Sequence, residues 1–311
     1  MKSSRADYFF SHGLTAPVIM GVVNVTPDSF SDAGQFQTQA GVNHAAAVEH
    51  GLNLARQGAA ILDIGGEASS FHRPGIGPID PQEQIQRILP VIEGIAGRRD
   101  AVDVYSPFPQ GVTGGERRTV LMSIDTRSSV VAAAALRAGA DIINDISAGT
   151  DDPEMLPLAA RTGCPIILMH RREEHAGQAP PTYDDVCGEV IGYLRQRSQE
   201  ALAAGVKRHR ILLDPGLGFG KSAADNWKLL AGIGGLVDLG YPVVLGASRK
   251  RFLAELLPPD LREAGPDGWQ ARDILTGDVT VLAAVRGVKI HRVHQVPLAR
   301  QALEVVARMN C

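Results

Sequence analysis

The chain has 311 residues, of which 44% are hydrophobic and 21% are charged, and its formal net charge is −3. This composition fits a globular chain with a buried core, and the small negative charge argues against nucleic acid or an anionic membrane surface as a partner. The cysteines Cys164, Cys187 and Cys311 form no CxxC-type pair. We therefore expect no disulfide framework or structural zinc site, and a reducing, cytoplasmic compartment. No stretch resembles a signal peptide or a membrane span.

Short apolar segments alternate with segments of helical periodicity from the N-terminus onward. An apolar strand over 18–23 stops at Asn24 and leads into an acidic, hydroxyl-rich loop that ends at Gly34. The pattern then predicts a helix over 39–57, a strand over 60–64 and a helix over 80–95. Residues 97–118 contain Pro, Gly and an Arg-Arg pair at each end but no apolar period, which is typical of an inserted loop.

The alternation resumes after this insertion and continues to the C-terminus. Strands are predicted over 120–124, 141–143, 165–169, 210–213, 242–245 and 289–293. Helices are predicted over 128–138, 152–162, 184–204, 225–239, 249–257, 269–286 and 297–309.

Eight strand-then-helix units without a change in composition indicate a single α/β domain over 1–311. The strands are continuous apolar runs, which is typical of a parallel sheet buried on both faces. We therefore predict a (β/α)8 barrel, the TIM barrel. A doubly wound open sheet is the alternative, because periodicity alone does not distinguish the two folds. In a barrel, the 97–118 insertion precedes the third strand and lies at the end opposite the active site.

Nearly every predicted strand ends in a polar residue. In a barrel these ends converge on the face where the loops build an active site, whereas each one taken singly could cap the following helix. The strand-end residues are Asn24, Asp63, Asp125, Asn144, Met169-His170, Asp214, Ser248-Lys250 and Arg292-His294.

Two loops contain further residues that are suited to ligand binding. Residues 212–221 place three Gly around Phe219, so the backbone can approach a flat ligand closely while the ring offers a face. This loop does not match a nucleotide-binding glycine motif. Arg249, Lys250 and Arg251 follow the seventh strand, where barrels often hold phosphate, and they predict an anion site.

These motifs together resemble the dihydropteroate synthase family over residues 17 to 309. The resemblance rests on Asn-Val-Thr-Pro-Asp-Ser-Phe-Ser-Asp at 24–32, Asp-Ile-Gly-Gly-Glu at 63–67, Ser-Ile-Asp-Thr at 123–126, Ile-Ile-Asn-Asp-Ile at 142–146, Leu-Asp-Pro-Gly-Leu-Gly-Phe-Gly-Lys at 213–221, Ser-Arg-Lys at 248–250 and Arg-Val-His at 292–294. It implies a TIM barrel, usually a homodimer through its C-terminal helices. It also implies a transferase that joins 6-hydroxymethyl-7,8-dihydropterin pyrophosphate to 4-aminobenzoate, giving 7,8-dihydropteroate and pyrophosphate in folate biosynthesis.

The resemblance also implies a role for each site residue. The pterin is bound by Asp125, Asn144, Met169, Asp214, Phe219, Lys250 and Arg292. Pyrophosphate is neutralised by Asn24 with Mg²⁺, by His294 and by Arg73, and Asp32 stabilises the pterin cation. The aminobenzoate pocket is formed by Phe30, Ser70, Pro74, Ser248 and Lys250. The catalytic residues are then Asn24, Asp32, Lys250, Arg292 and His294.

The chain departs from the family pattern in four places. Phe71 and His72 lengthen the second loop, which is either a harmless length variant or a reshaped aminobenzoate pocket that discriminates against sulfonamides. Gln295 stands where the family usually has Asp. Arg-Arg at 171–172 replaces a segment of small residues that includes Gly, and residues 273–278 replace a Gly-Thr-Ala run. A methyltetrahydrofolate-binding barrel and a catalytically impaired paralogue are the competing interpretations. The pyrophosphate-handling loop after Asn24 argues against the first of these.

Overall fold

The structure is a computed structural model, and it describes residues 6, 9–10, 14, 16–26, 37–38, 41–67, 79–102, 120–172, 181–263 and 265–309. Eight parallel strands form the central sheet, namely β1 (Val18–Asn24), β4 (Ala59–Gly65), β5 (Leu121–Asp125), β6 (Ile142–Asp145), β7 (Ile166–Met169), β8 (Ile211–Asp214), β9 (Val244–Leu245) and β10 (Ile290–Val293). Their spatial order is β8-β7-β6-β5-β4-β1-β10-β9. Two short strands, β2 (Gln37–Thr38) and β3 (Gly41–Val42), form a separate antiparallel pair.

The two outer strands of this order meet and close the sheet. A parallel bridge joins Leu213 of β8 to Val243, the residue before β9. The predicted (β/α)8 barrel is thereby confirmed, and the open-sheet alternative is wrong because both outer strands of an open sheet would lack this neighbour.

Helices follow the barrel strands along the chain. They are α1 (His44–Gln57), α2 (Pro81–Ala96), α3 (Ser129–Ala138), α4 (Met155–Thr162), α5 (Val186–Ala203), α6 (Ala223–Ala231), α7 (Ile233–Val237), α8 (Pro266–Val285) and α9 (Val296–Met309). Short 3-10 helices span Arg99–Ala101, Arg208–Arg210, Arg251–Leu256 and Pro259–Leu261. Within the described ranges, no helix combines the length and the apolar character needed to cross a bilayer.

Several helices of the structure differ from the predicted ones in where they begin, in continuity or in helix type. The helix predicted over 39–57 begins only at His44, because the Asn43 side chain accepts a hydrogen bond from the backbone N of Ala46 and caps the first turn. The helix predicted over 225–239 is divided into α6 and α7 at Gly232. The segment predicted as a helix over 249–257 is 3-10 instead.

Four described residues of the N-terminal segment pack against the barrel interior, near the amino ends of the strands. Phe10 and Ala6 are buried there against inward-facing strand residues, with Phe9 and Leu14 partly buried beside them. The strand residues in this cluster are Val18, Met20, Ala60, Ile61, Leu121, Ile142, Ile167, Leu212, Val244 and Ile290. The polar composition of the N-terminus had not suggested this apolar contact.

The inserted loop predicted over 97–118 begins later than the sequence indicated. Arg99 is buried and forms an ion pair with Asp141, next to the start of β6, and Val102 is buried in the core. Residues 97–102 therefore belong to the barrel. The rest of the predicted insertion, 103–118, lies outside the described residues.

Candidate active site at the carboxyl ends of the strands

Polar side chains gather near the carboxyl ends of the barrel strands, where the loops towards the helices begin. In the strand register, Asp125 lies beside Asn144 and Met169 lies beside Asp214. Because parallel barrel strands end at the same rim, these side chains face a common space. The rim carries Asn24, Asp63, Asp125, Asn144, Met169, Asp214 and Arg292.

Arg292 is the centre of a cluster of charges at this rim. Its Nε donates to Asp63 Oδ2 at 2.6 Å, and its Nη2 donates to Asp125 Oδ2 at 2.9 Å. Asn144 Nδ2 donates to the same Asp63 oxygen at 3.1 Å. Asp63 is fully buried, so its charge depends on these donors. The cluster therefore fixes the orientations of Arg292 and Asn144.

Burial changes the acidity of both carboxyl groups that the sequence assigned to pterin binding. Burial and the neighbouring Asp63 charge raise the pKa of Asp125 to about 7, although Arg292 opposes the shift. Burial raises the pKa of Asp214 to about 6, against the hydrogen bond from the Gly216 backbone N and the charge of Lys250. Burial alone would lower the pKa of Arg292, but Asp63 and Asp125 raise it, so the guanidinium stays charged.

The glycine-rich loop after β8 is shaped by close backbone contacts. Gly216 has a φ of +66°, and a Cβ built on it would lie 1.9 Å from the carbonyl oxygen of His170. The Gly216 N donates to Asp214 Oδ1 at 2.7 Å. The buried Lys221 donates through Nζ to the carbonyl oxygens of Gly216 at 2.8 Å and Phe219 at 3.0 Å. The loop is thus held by its own lysine, a role that the sequence did not predict.

Two further contacts involve predicted site residues from the last two barrel strands. Lys250 Nζ lies 4.0 Å from the centre of the Phe219 ring, a cation–π geometry. Ser248 Oγ accepts from the His294 backbone N at 3.1 Å and lies 2.9 Å from His294 Nδ1. The structure therefore brings Lys250 to Phe219 and Ser248 to His294.

Asn24 occupies the last position of β1 and is partly exposed. A Cβ built on Gly65 would lie 3.9 Å from Asn24 Oδ1 and 3.8 Å from Asp125 Oδ2, so both side chains lie next to this glycine. Other predicted site residues lie outside the described residues, namely Phe30, Asp32, Ser70, Arg73 and Pro74.

Asp63 is the main site residue that received no role from the sequence. Its position near the end of a predicted strand was the available signal, although in the register Asp63 lies beside Ser123 and Gly65 lies beside Asp125. The pairing with Arg292 could not be inferred, because 229 residues separate the two in the chain.

The three cations of the segment after β9 have different surroundings. Arg249 donates to both carboxylate oxygens of Asp273 on α8. Arg251 is exposed at the start of a 3-10 helix. Lys250 lies against Phe219, a predicted pterin-site residue, and the anion site predicted from these cations stays a prediction.

The unusual arginines at 171–172 are accommodated by ion pairs. Arg171 Nη2 contacts both carboxylate oxygens of Asp151, at 2.5 and 2.6 Å, and Arg172 pairs with Glu189. Arg127 links Asp151 to Glu67. These pairs connect the loops that follow β4, β5, β6 and β7 along the outside of the rim.

Comparisons with known proteins agree with this geometry. A family model described as a pterin binding enzyme matches residues 20–106 and 107–294. The fold and site therefore define a pterin-binding enzyme of the (β/α)8 barrel class.

Comparisons with individual relatives identify the family within this class. The dihydropteroate synthase of Mycobacterium leprae is 42% identical over 295 residues, which cover 94% of this chain and 93% of the relative. A solved dihydropteroate synthase from Xanthomonas albilineans with 4-aminobenzoic acid has a TM-score of 0.75 and 37% identity, covering 96% of this chain and 95% of that one. The Yersinia pestis enzyme in a sulfonamide drug complex has a TM-score of 0.78 and 33% identity, with coverage of 96% and 95%. The chain belongs to the dihydropteroate synthase family.

Proposed function

We propose that this chain condenses 6-hydroxymethyl-7,8-dihydropterin pyrophosphate with 4-aminobenzoate, releasing pyrophosphate and forming 7,8-dihydropteroate. The observation that carries the proposal is the cluster of Asp63, Asp125, Asn144 and Arg292 at the rim of the barrel, in a member of the dihydropteroate synthase family. The relative solved with 4-aminobenzoic acid supports the choice of the second substrate.

The pterin is recognised through its guanidine-like edge, which presents hydrogen-bond donors. The oxygens of Asp125, Asn144 and Asp214 accept from this edge, and Lys250 donates to acceptors on the ring. Buried carboxylates suit this task because a charge-assisted hydrogen bond is stronger where water is excluded. Met169 and Phe219 pack against the ring. Arg292 keeps Asp63 and Asp125 in place and can also stack on the pterin.

The pyrophosphate leaving group carries negative charge that the site must neutralise. His294 and Arg73 supply positive charge, and the Asn24 oxygen is a suitable Mg²⁺ ligand. No group of three or more metal-binding His, Cys, Asp or Glu side chains occurs within the described ranges. When bound, Mg²⁺ would offset the charge of the departing pyrophosphate.

Bond breaking precedes bond formation in the proposed reaction. The C–O bond to pyrophosphate breaks first, both bonding electrons leave with the oxygen, and a pterin-stabilised carbocation remains. Asp32 stabilises this cation, and the amine nitrogen of 4-aminobenzoate then attacks it and loses a proton. The pocket for the arylamine comprises Phe30, Ser70, Pro74, Ser248 and Lys250. Orientation and charge stabilisation are sufficient, so no covalent enzyme intermediate is required.

The proposal is tested by incubating the purified protein with pterin pyrophosphate, 4-aminobenzoate and Mg²⁺ and measuring dihydropteroate by mass spectrometry. Formation of the product is expected, and omission of each substrate in turn is the control. Calorimetric binding of the pterin without any product would support the catalytically impaired paralogue instead.

We also infer a homodimer formed through the C-terminal helices. Large apolar side chains are exposed on one side of α8, at Ile274, Leu282 and Val285, and on the adjacent α9, at Val305 and Met309. Exposed large apolar side chains grouped on two neighbouring helices mark a candidate interaction site. Analytical ultracentrifugation is expected to give a dimer, and replacing Leu282 and Val285 by Lys is expected to give a monomer. A monomeric wild type at micromolar concentration would contradict the inference.

A cytoplasmic location remains part of the proposal. It is supported by the free thiols of Cys164 and Cys187, which suit a reducing compartment.

A further inference from the structure

The turn after β9 contains a backbone conformation that its residue does not favour. Arg249 has a φ of +59°, and only Ala148 shares a positive φ among the described residues other than glycine. A positive φ brings the Cβ of an L-residue close to its own backbone, so such residues persist only where the surrounding structure holds them. A hydrogen bond of 3.2 Å from Lys250 N to Ala247 O closes the turn.

The two neighbours of Arg249 both belong to the proposed active site. Ser248 Oγ accepts from the His294 backbone N at 3.1 Å, and Lys250 Nζ lies 4.0 Å from the centre of the Phe219 ring. A Cβ added at Gly218 would also lie 3.0 Å from Lys250 Cδ, so the lysine passes close to the glycine-rich loop. A change in the backbone at Arg249 would redirect both neighbours.

Asp273 on α8 holds the side chain of Arg249. Arg249 Nε lies 3.0 and 3.1 Å from the two carboxylate oxygens of Asp273, and Nη2 lies 2.9 Å from Oδ2. The Asp273 side chain is 2% exposed and that of Arg249 is 12% exposed. A planar guanidinium bound to both oxygens in a nearly dry environment has one preferred orientation.

The negative charge that pairs with Arg249 is that of Asp273, which lies on α8. A cavity of about 390 Å³ is lined by Arg249, Pro266, Trp269, Gln270, Asp273, Gln295 and Leu298. Among these lining residues, Asp273 is the one that carries a carboxylate, whereas Gln295, where the family pattern has Asp, is neutral.

We propose that Asp273 is a positioning residue, which acts through Arg249 to hold residues 247–250 in the conformation that delivers Ser248 and Lys250 to the active site. Asp273 does not contact the substrates. The proposal rests on the proposed function, because Ser248 and Lys250 are substrate-binding residues in that reaction. Asp273 lies within the segment, 273–278, that departs from the family pattern.

Two double variants separate the backbone effect from the loss of the ion pair. Asp273→Asn combined with Arg249→Gly and Asp273→Asn combined with Arg249→Ala both remove the ion pair without leaving a buried unpaired charge. They differ in that glycine adopts a positive φ without strain and alanine does not. The glycine double variant is expected to keep kcat/KM about tenfold above the alanine double variant. Each variant is compared at equal folded fraction, measured by thermal melting.

The single variant Asp273→Asn tests the ion pair directly. We expect it to lower kcat/KM and to weaken pterin binding measured by calorimetry, whereas Asp273→Glu keeps the charge and recovers part of both. Equal kcat/KM values for the glycine and alanine double variants, or wild-type pterin affinity in Asp273→Asn, would overturn the proposal. An inactive wild type would refute the proposed function instead. In that case pterin affinity alone would decide whether Asp273 positions Lys250.

Discussion

The two ends of the barrel are built from the same strands but carry opposite kinds of side chain. At the carboxyl end, the fully buried Asp63 and the partly buried Asp125 and Arg292 form a charged cluster. At the amino end, Phe10 and Ala6 pack against inward-facing apolar residues of the strands. The charged end requires ionised groups to be withdrawn from water, which is unfavourable, whereas burial of the apolar end is favourable.

This contrast indicates that ligand binding and stability depend on opposite ends of the barrel. The carboxyl end holds polar groups ready for a ligand at some expense of stability, and the amino end contributes stability without contacting the site. Substitutions at the two ends should therefore separate activity from stability.

The largest expected effect is the loss of activity in Asp125→Asn. The amide presents a donor where the pterin needs an acceptor, so kcat/KM should fall by about 1,000-fold or more. Thermal unfolding should occur at the same temperature or a higher one, because the variant removes a buried charge next to Asp63. Steady-state kinetics and calorimetric melting measure the two quantities. A variant with near wild-type turnover would refute the assignment of Asp125 to pterin binding.

The stability gain of this variant should depend on pH. The folded-state pKa of Asp125, about 7, lies above its ordinary value, so the folded protein binds the proton more tightly than the unfolded chain. Stability from the protonated group is complete at low pH and is lost as the pH rises towards 7. The gain in Asp125→Asn should therefore be largest at pH 7 to 8 and vanish near pH 4.

Phe10→Ala should have the opposite effect to Asp125→Asn, because it should lower stability and leave activity unchanged. Removal of a buried aromatic ring leaves a cavity at the amino end of the barrel and should lower the free energy of unfolding by about 3 kcal/mol. The kcat/KM of the folded protein should not change, because the cluster lies at the far end of the strands. Denaturant unfolding provides the measurement, with Val130→Ala as a control at an exposed position. An unchanged unfolding midpoint would show that the N-terminal segment does not stabilise the barrel.

Pterin affinity should fall at acidic pH by a smaller factor. The ionised form of Asp125 is the better acceptor, and its pKa of about 7 means that protonation competes with binding below that pH. Asp214 adds a second decline near its pKa of about 6. The affinity measured by calorimetry should drop about tenfold between pH 8 and pH 6. An affinity that stays constant over this range, with the protein folded throughout, would contradict the prediction.

The smallest effect is expected for the second loop. If Phe71 and His72 reshape the aminobenzoate pocket, their deletion should change the sulfonamide inhibition constant and the KM for 4-aminobenzoate by about 3- to 10-fold and leave pterin affinity unchanged. Both residues lie outside the described residues. If inhibition and KM were both unchanged, the two residues would be a neutral variation in loop length.

The local patterns of the sequence predicted the eight strand-helix units and the polar strand ends, whereas the closure of the sheet into a barrel was decided by the bridge between Leu213 and Val243. Apolar runs that end in Asn24, Asp125, Asn144 and Asp214 are properties of short segments, and the alternation of strands and helices repeats eight times. Helix limits were less well predicted, because a single side chain such as that of Asn43 can move a start by several residues.

The partners of the charged residues were decided by the tertiary structure alone. Arg292 is 229 residues from Asp63 and 167 residues from Asp125 in the sequence. The three side chains come into contact because β10 pairs with β1 inside a closed barrel. The ionic partner of Arg249 was likewise decided by packing, because α8 places Asp273 against it. Residue type and position in a strand are local properties, whereas the choice of an ionic partner depends on which surfaces the closed barrel brings together.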